Sequence, residues 1–155
     1  MIKVLFVCLG NICRSPMAQF VFKQIIEDCG LANRFEIDSA GTNYDCDAHN
    51  FIHHGTREML KSMHVPFEEH YSRRIQPKDY DYYDYILAME EYNIEDILSI
   101  VGPDTKNKIH RLLDWSSNPR DIGDPWYTGN FDDSYWDIIE GCQTFLEHLE
   151  KQNLL

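Results

Sequence analysis

No apolar run in the sequence approaches the ~20 residues that a membrane-spanning helix needs. The opening stretch MIKVLFVCLGN is short, and no small-residue cleavage site follows it, so no targeting segment is expected. Positive charge is scarce: Lys and Arg number 14 against 26 Asp and Glu, a formal net charge of −12. That deficit argues against nucleic acid or an anionic membrane surface as a partner. A small anionic substrate stays open, because a distant field is screened within roughly 8 Å and a local nest of amides with one Arg overrides it. Cysteine is sparse and odd in number. Cys8, Cys13, Cys29, Cys46 and Cys142 are too few for a disulfide scaffold, and a reduced, cytoplasmic setting is expected. Internal repeats, low-complexity tracts and linkers are absent as well. The chain that remains has 155 residues, 43% hydrophobic and 13% aromatic, enough for one domain (1–155) with a substantial core.

The residues that are present alternate between two patterns. IKVLFV (2–7) is continuous and β-branched-rich, as suits a strand buried on both faces. SPMAQFVFKQIIEDCG (15–30) begins with Ser and Pro, ends on Gly, and carries apolar residues at helical spacing. RFEIDSAGT (34–42) reads as a second strand, NFIHHGTREMLKSMHVP (50–66) as a helix stopped before Pro66, and 85–89 as a strand running into a helix through about Ser99. NKIHRLLDW (107–115) is a shorter strand, and FDDSYWDIIEGCQTFLEHLEKQ (131–152) a long amphipathic helix with acids early. This alternation predicts a single α/β domain: a mostly parallel four-stranded sheet with helices on both faces, a flavodoxin-like or Rossmann-like arrangement. Ligands of such sheets bind at the carboxyl ends of strands, where the segment CLGNICRS falls.

That segment brings a thiol, a guanidinium and a hydroxyl together between a buried strand and a helix start. The helix N-terminus offers free N–H groups and partial positive charge, and a tight loop ahead of it aims further amides inward as an anion nest. Gly10 and Asn11 are among the residues best able to take the left-handed backbone such a nest needs. Arg14 adds a planar fork that matches two oxygens of a phosphate-like group. The field that holds a dianion also favours a thiolate, which makes Cys8 a nucleophile. Ser15 stands ready to donate to that sulfur or to cap the helix. Together these groups suit phosphoryl transfer to sulfur.

VCLGNICRSPMAQ resembles the signature loop of the low-molecular-weight protein tyrosine phosphatases. DSAGT (38–42), HVP (64–66), SRRI (72–75), DYILAMEEYN (84–93) and DPWYTG (124–129) follow in the family's order and near its spacings, so the resemblance spans nearly the whole chain. It implies hydrolysis of phosphotyrosine and aryl phosphate monoesters through a phosphocysteine intermediate. Cys8 would be the nucleophile and Arg14 the phosphate-binding cation. Asp124 would be the general acid, then the general base. Substrate contacts would come from Leu9, Gly10, Asn11, Ile12, Cys13, Ser15, Tyr44, Trp126 and Tyr127. Ser39 and His64 would join Ser15 in a network that holds Asn11 in its strained conformation. Cys13 would form a reversible disulfide with Cys8 under oxidation. The implied partner is a phosphotyrosine-containing protein or peptide, a tyrosine kinase being one candidate. Phosphate and related oxyanions are the implied inhibitors, with no cofactor, nucleic acid or membrane partner, and with a monomer or weak homo-oligomer.

Rival readings on the same fold are weighed by particular residues. Arsenate reduction by a thiol relay needs further Cys, and QPKDYDYYDYILAMEEY (76–92) has none. A protein arginine phosphatase typically carries Thr where this chain has Ile12, and Ile12 with Trp126 and Tyr127 suits a phenyl phosphate better. A silent phosphotyrosine-binding module would lose the nucleophile or the acid, whereas Cys8, Arg14 and Asp124 are all present. His49 and His53 stand four apart in HNFIHH, but no third ligand accompanies them, and no metal is expected. Arg73 and Arg74 are expected to contact acids near the loop or to lie on the surface.

Overall fold

Strand β1 (Ile2–Cys8) is apolar along its length because both of its faces are covered. In the computed structural model, which describes residues 1–155, Val4, Phe6 and Cys8 enter one core while Leu5 and Val7 enter the other. Side chains alternate across a strand, so one continuous run serves two layers. The chain continues through α1 (Arg14–Asp28), β2 (Phe35–Gly41), α2 (His54–Ser62), α3 (Pro77–Tyr82), β3 (Tyr85–Ala88), α4 (Glu91–Val101), β4 (Ile109–Arg111), α5 (Pro125–Thr128) and α6 (Phe131–Lys151). The strand order is β2-β1-β3-β4, and every pair is parallel. This is the expected α/β fold, with the sheet wholly rather than mostly parallel.

The larger core lies between β1 and helices α1, α2 and α6, where Phe22 meets Phe6, Phe35 and Phe145 at ring separations of 5.3–5.8 Å. The smaller core joins Leu5, Val7 and Ile86 to Tyr80 and Tyr83 at α3 and to Ile97 of α4. β1 lies between β2 and β3, so the chain leaves its carboxyl end at the point where the strand order reverses. That is where an open α/β sheet forms its ligand crevice.

Several element boundaries differ from the sequence expectation, each for a local reason. The helix expected over 50–66 occupies His54–Ser62: the His53 side chain caps its start, and His64 takes a left-handed backbone (φ 58°) just past its end. The strand expected over 107–115 stops at Arg111. There the Asp114 carboxylate accepts from the Arg111 N–H at 2.9 Å and turns Leu112–Trp115 into a 3₁₀ turn. α3 was not expected, although the Asp79 carboxylate accepts from the Gln76 N–H at 2.7 Å and Pro77 stands in the first turn. α5 is a single turn within the expected irregular stretch.

Gly41 ends β2 directly opposite Cys8. A Cβ there would fall 2.7 Å from the Leu9 carbonyl oxygen, 3.1 Å from the Asn11 Cβ, and onto the Cys46 sulfur. Its backbone also bridges outward, donating to the Arg73 carbonyl at 2.8 Å and accepting from the Ile75 N–H at 2.8 Å. The segment around 70–75 is thereby laid along the sheet behind the loop. Gly41→Ala is expected to lower stability by about 1–3 kcal/mol, because backbone rather than a flexible side chain must move. Denaturant unfolding checks it.

Candidate active site

The loop from Cys8 to Arg14 wraps the end of β1, and its shape rests on Asn11. Asn11 is fully buried and left-handed, with φ 55°. Its side chain is saturated. Nδ2 donates to Ser15 Oγ at 2.7 Å and to Ser39 Oγ at 3.0 Å, while Oδ1 accepts from the Arg73 N–H at 3.1 Å. His70 Nε2 lies 3.0 Å from the same Oδ1. An amide oxygen can only accept, so Nε2 of His70 carries the proton. Ser39 Oγ donates to Gln19 Oε1 at 2.6 Å. Ser15 Oγ, having accepted from Asn11, directs its proton toward Cys8 Sγ at 3.1 Å, the closer of its two acceptors. The Asn11 N–H also points at that sulfur, at 3.3 Å. Cys8 therefore faces two donors. Ser15 lies inside α1, one residue after its start, and serves the sulfur instead of capping the helix.

His64 does not take part in this network. It is exposed at the end of α2, and its N–H donates to the Lys61 carbonyl at 3.1 Å. His70 occupies the expected place because the Gly41–Arg74 bridge draws the later part of the segment, not the helix end, against the loop.

Arg14 is buried to 1% exposure. Nη1 donates to Glu90 Oε1 at 2.5 Å and to the Ile122 carbonyl at 2.6 Å, and Nη2 to Asp124 Oδ2 at 3.2 Å. Glu90 is the N-cap residue of α4, at the end of β3 beside the loop. The other Asp124 oxygen accepts from the Trp126 N–H at 3.0 Å and caps α5. Asp121, by contrast, accepts from the Glu91 N–H and Arg111 on the surface.

A cavity of about 160 Å³ opens over the sulfur. Cys8, Leu9, Gly10, Ile12, Cys13 and Arg14 form its floor, Asn43 and Asp45 one wall, and Asp124, Trp126 and Tyr127 the other. Asn11 and Ser15, expected to touch substrate, are buried beneath that floor. Tyr44 lies outside the lining. Asn43 caps the 3₁₀ turn Tyr44–Ala48 and rotates Tyr44 outward, leaving it 74% exposed, with the Arg74 guanidinium 4.0 Å from its ring. Arg73 pairs with Asp79 at 3.1 Å and Asp38 at 3.5 Å. Burial, reinforced by nearby Cys8 and Asp124, pushes the Cys13 thiol up to about 12, so Cys13 is a neutral thiol at physiological pH. Cys46 is pushed up to about 12 by burial and by Cys8. His49 bonds the Ser72 carbonyl and His53 caps α2, so the two do not share a helix face.

Residues 3–154 match the family model of the low molecular weight phosphotyrosine protein phosphatases. The chain belongs to that family. This family member is similar to YfkJ of Bacillus subtilis, with 40% identity over the full length of both chains. The crystal structure of YfkJ superposes with a TM-score of 0.91, covering 98% of this chain and 96% of that one. PtpA of Staphylococcus epidermidis, a low molecular weight protein-tyrosine-phosphatase, is 34% identical over 97% of this chain and 96% of its own. A Drosophila arginine phosphatase is also similar, with 30% identity and a TM-score of 0.83 over 96% of this chain and 98% of that one.

Five residues of the family member's site escaped sequence reasoning: Asn43 and Asp45 in the cavity wall, and Glu90, Gln19 and His70 behind it. Glu90 carried a usable signal, an acid directly after a buried strand that neighbours β1. Gln19 is a polar residue one turn beyond Ser15 on an otherwise apolar face. His70 sits in an irregular segment and carries no local signal. His70→Ala removes a donor from buried Asn11 and is expected to cost about 1–3 kcal/mol of stability and to slow turnover. His64→Ala is expected to leave turnover near wild type; thermal unfolding and steady-state rates check both. Burial lowers the His70 pKa below its ordinary 6.5, with Asp38 opposing and Arg73 and Lys23 adding to the effect. The unfolded chain thus binds the proton more readily. The contribution of neutral His70 is complete above pH 6.5 and is lost as pH falls below 6.5 toward the lowered folded value. His70→Gln is expected to flatten the dependence of unfolding free energy on pH in that window.

Proposed function

We propose that this phosphatase-family chain hydrolyses phosphotyrosine and other aryl phosphate monoesters through a phosphocysteine on Cys8. The observation that carries this reading is the single cavity into which Cys8, Arg14 and Asp124 all open. The loop amides and the Arg14 fork receive the nonbridging oxygens, and Ile12, Trp126 and Tyr127 supply apolar contact for a phenyl ring. The Cys8 thiolate attacks phosphorus, and the bond to the aryl oxygen breaks. Asp124, as the acid, gives that oxygen its proton, so phenol rather than phenolate departs. A bound dianion competes for the edge of Arg14 that Asp124 now occupies, which frees the carboxyl to face the leaving group. In the second step water attacks phosphorus, Asp124 takes the proton, the P–S bond breaks, and inorganic phosphate leaves with the thiolate restored. Ser15 and the Asn11 N–H stabilise that sulfur at the start and as a leaving group. The substrate is read as a phosphotyrosine-bearing protein or peptide in the cytoplasm, a tyrosine kinase among the candidates. No helix is long and apolar enough to cross a membrane.

Similarity to the Drosophila arginine phosphatase supports a second reading, phosphoarginine hydrolysis by the same loop. Ile12 and the aromatic wall favour the phenyl ester, and rates on phosphotyrosine, phosphoserine and phosphoarginine peptides separate the two.

Cys8→Ser is expected to abolish aryl phosphate hydrolysis while retaining phosphate binding, measured by calorimetry, because the nest is left in place. A substantial residual rate would contradict the covalent route. Asp124→Ala is expected to slow phosphorylation of the enzyme by roughly 10²–10⁴-fold with phosphotyrosine, and much less with an aryl phosphate whose leaving group is weakly basic. Equal losses on both substrates would make Asp124 a structural group.

A further inference from the structure

The segment that carries Asp124 is short and lightly packed. Its α5 turn closes on itself through the Asp124 cap and a Gly129 N–H bond to the Pro125 carbonyl at 2.8 Å, while Trp126 is 61% exposed. One side chain from another element meets this segment at both of its ends. The His53 ring lies edge-on to Trp126, with centroids 5.6 Å apart at 80°, and stacks on Phe131 at 5.3 Å and 20°. His54 stacks beside it at 4.5 Å. The Phe131 ring also fills the space where Gly55 lacks a Cβ, so any larger residue at 55 would displace it. His53 is anchored in turn to the phosphate-binding loop, its backbone N–H donating to the Ile12 carbonyl at 2.8 Å. Its Nδ1 accepts from the Gly55 N–H at 3.0 Å and caps α2. That bond requires a neutral ring with the proton on Nε2. Partial burial, with His54 and Arg57 nearby, lowers the pKa of His53 and favours that form.

We propose that His53 is a positioning residue whose ring holds Trp126 and Phe131, and with them the Asp124 segment, in register with the phosphate-binding loop. The cap and the ring are separate functions of one side chain. The cap stabilises α2, whereas the ring fixes where the acid and the aromatic wall stand over Cys8. This rests on the reading of Asp124 as the general acid.

Two variants separate the functions. His53→Asn keeps a good N-cap and removes the ring; His53→Phe keeps a ring and removes the cap. His53→Asn is expected to melt modestly lower, from the lost ring contacts, and to lose roughly 2- to 10-fold in kcat on a phosphotyrosine peptide, the size of one aromatic contact. The loss should be clearly smaller on an aryl phosphate with a weakly basic leaving group. His53→Phe is expected to melt lower and to recover most of the phosphotyrosine rate. Amide hydrogen exchange across 124–130 reads the positioning without reference to the acid, and it should quicken in His53→Asn and stay slow in His53→Phe. Wild-type exchange in His53→Asn, or a rate that follows melting temperature across both variants, overturns the inference. Quickened exchange in His53→Asn without a leaving-group contrast in Asp124→Ala would refute the acid assignment and leave the positioning role supported.

Discussion

A left-handed backbone at a residue other than glycine costs about 1–3 kcal/mol, and Asn11 adopts one at the centre of the Cys8–Arg14 loop. Asn is among the residues that tolerate it best, but tolerance alone does not select a single loop shape. Selection comes from the saturated side chain, which draws partners from α1, from β2 and from the segment at 70–73. The same bonds place the donors around Cys8, since the Asn11 side chain holds Ser15 Oγ beside the sulfur while its own N–H points there. Much of the fold converges there. The parallel pairing of β1 with β2 sets Ser39 beside Phe6, and Gly41 lets the loop lie against the strand end.

Charge is organised on the same principle. On the proposed reading, a chain with a net charge of −12 binds an oxyanion by fixing one buried cation, Arg14, rather than by a general positive field. Burying a guanidinium is costly unless its donors are matched; Glu90, Ile122 and Asp124 take three of the five, and the remainder is left for a bound oxyanion. A cation held this firmly needs little reorganisation when charge develops on the transferring phosphoryl group, which is where electrostatic stabilisation acts most strongly.

The parts of this design that were legible in the sequence are those written locally. The apolar run of β1, the Gly-Asn pair, Arg14 and the Ser-Pro helix start lie within fifteen residues of one another, and strand-loop-helix patterning was enough to order them. Asp124 was legible through its Pro and aromatic neighbours, with the family resemblance. What failed to read were long-range pairings. The chain offers two histidines, His64 and His70, within one irregular stretch, and only the bridge from Gly41 to Arg74 decides which reaches Asn11. Tyr44 turned outward because Asn43 caps the turn that follows it. α3 went unread because its tyrosines obscured helical spacing, although its capping residues were in plain order.

Trapping the intermediate tests the central claim most directly. The wild-type protein is mixed with an aryl phosphate, quenched within the first turnover and mapped by peptide mass spectrometry. One phosphoryl group on the sulfur of Cys8, formed at the rate of phenol release and lost at the rate of phosphate release, is the predicted result. A first turnover that releases phenol with Cys8 unmodified, or with the phosphoryl group on Cys13 or Ser15, would contradict the account.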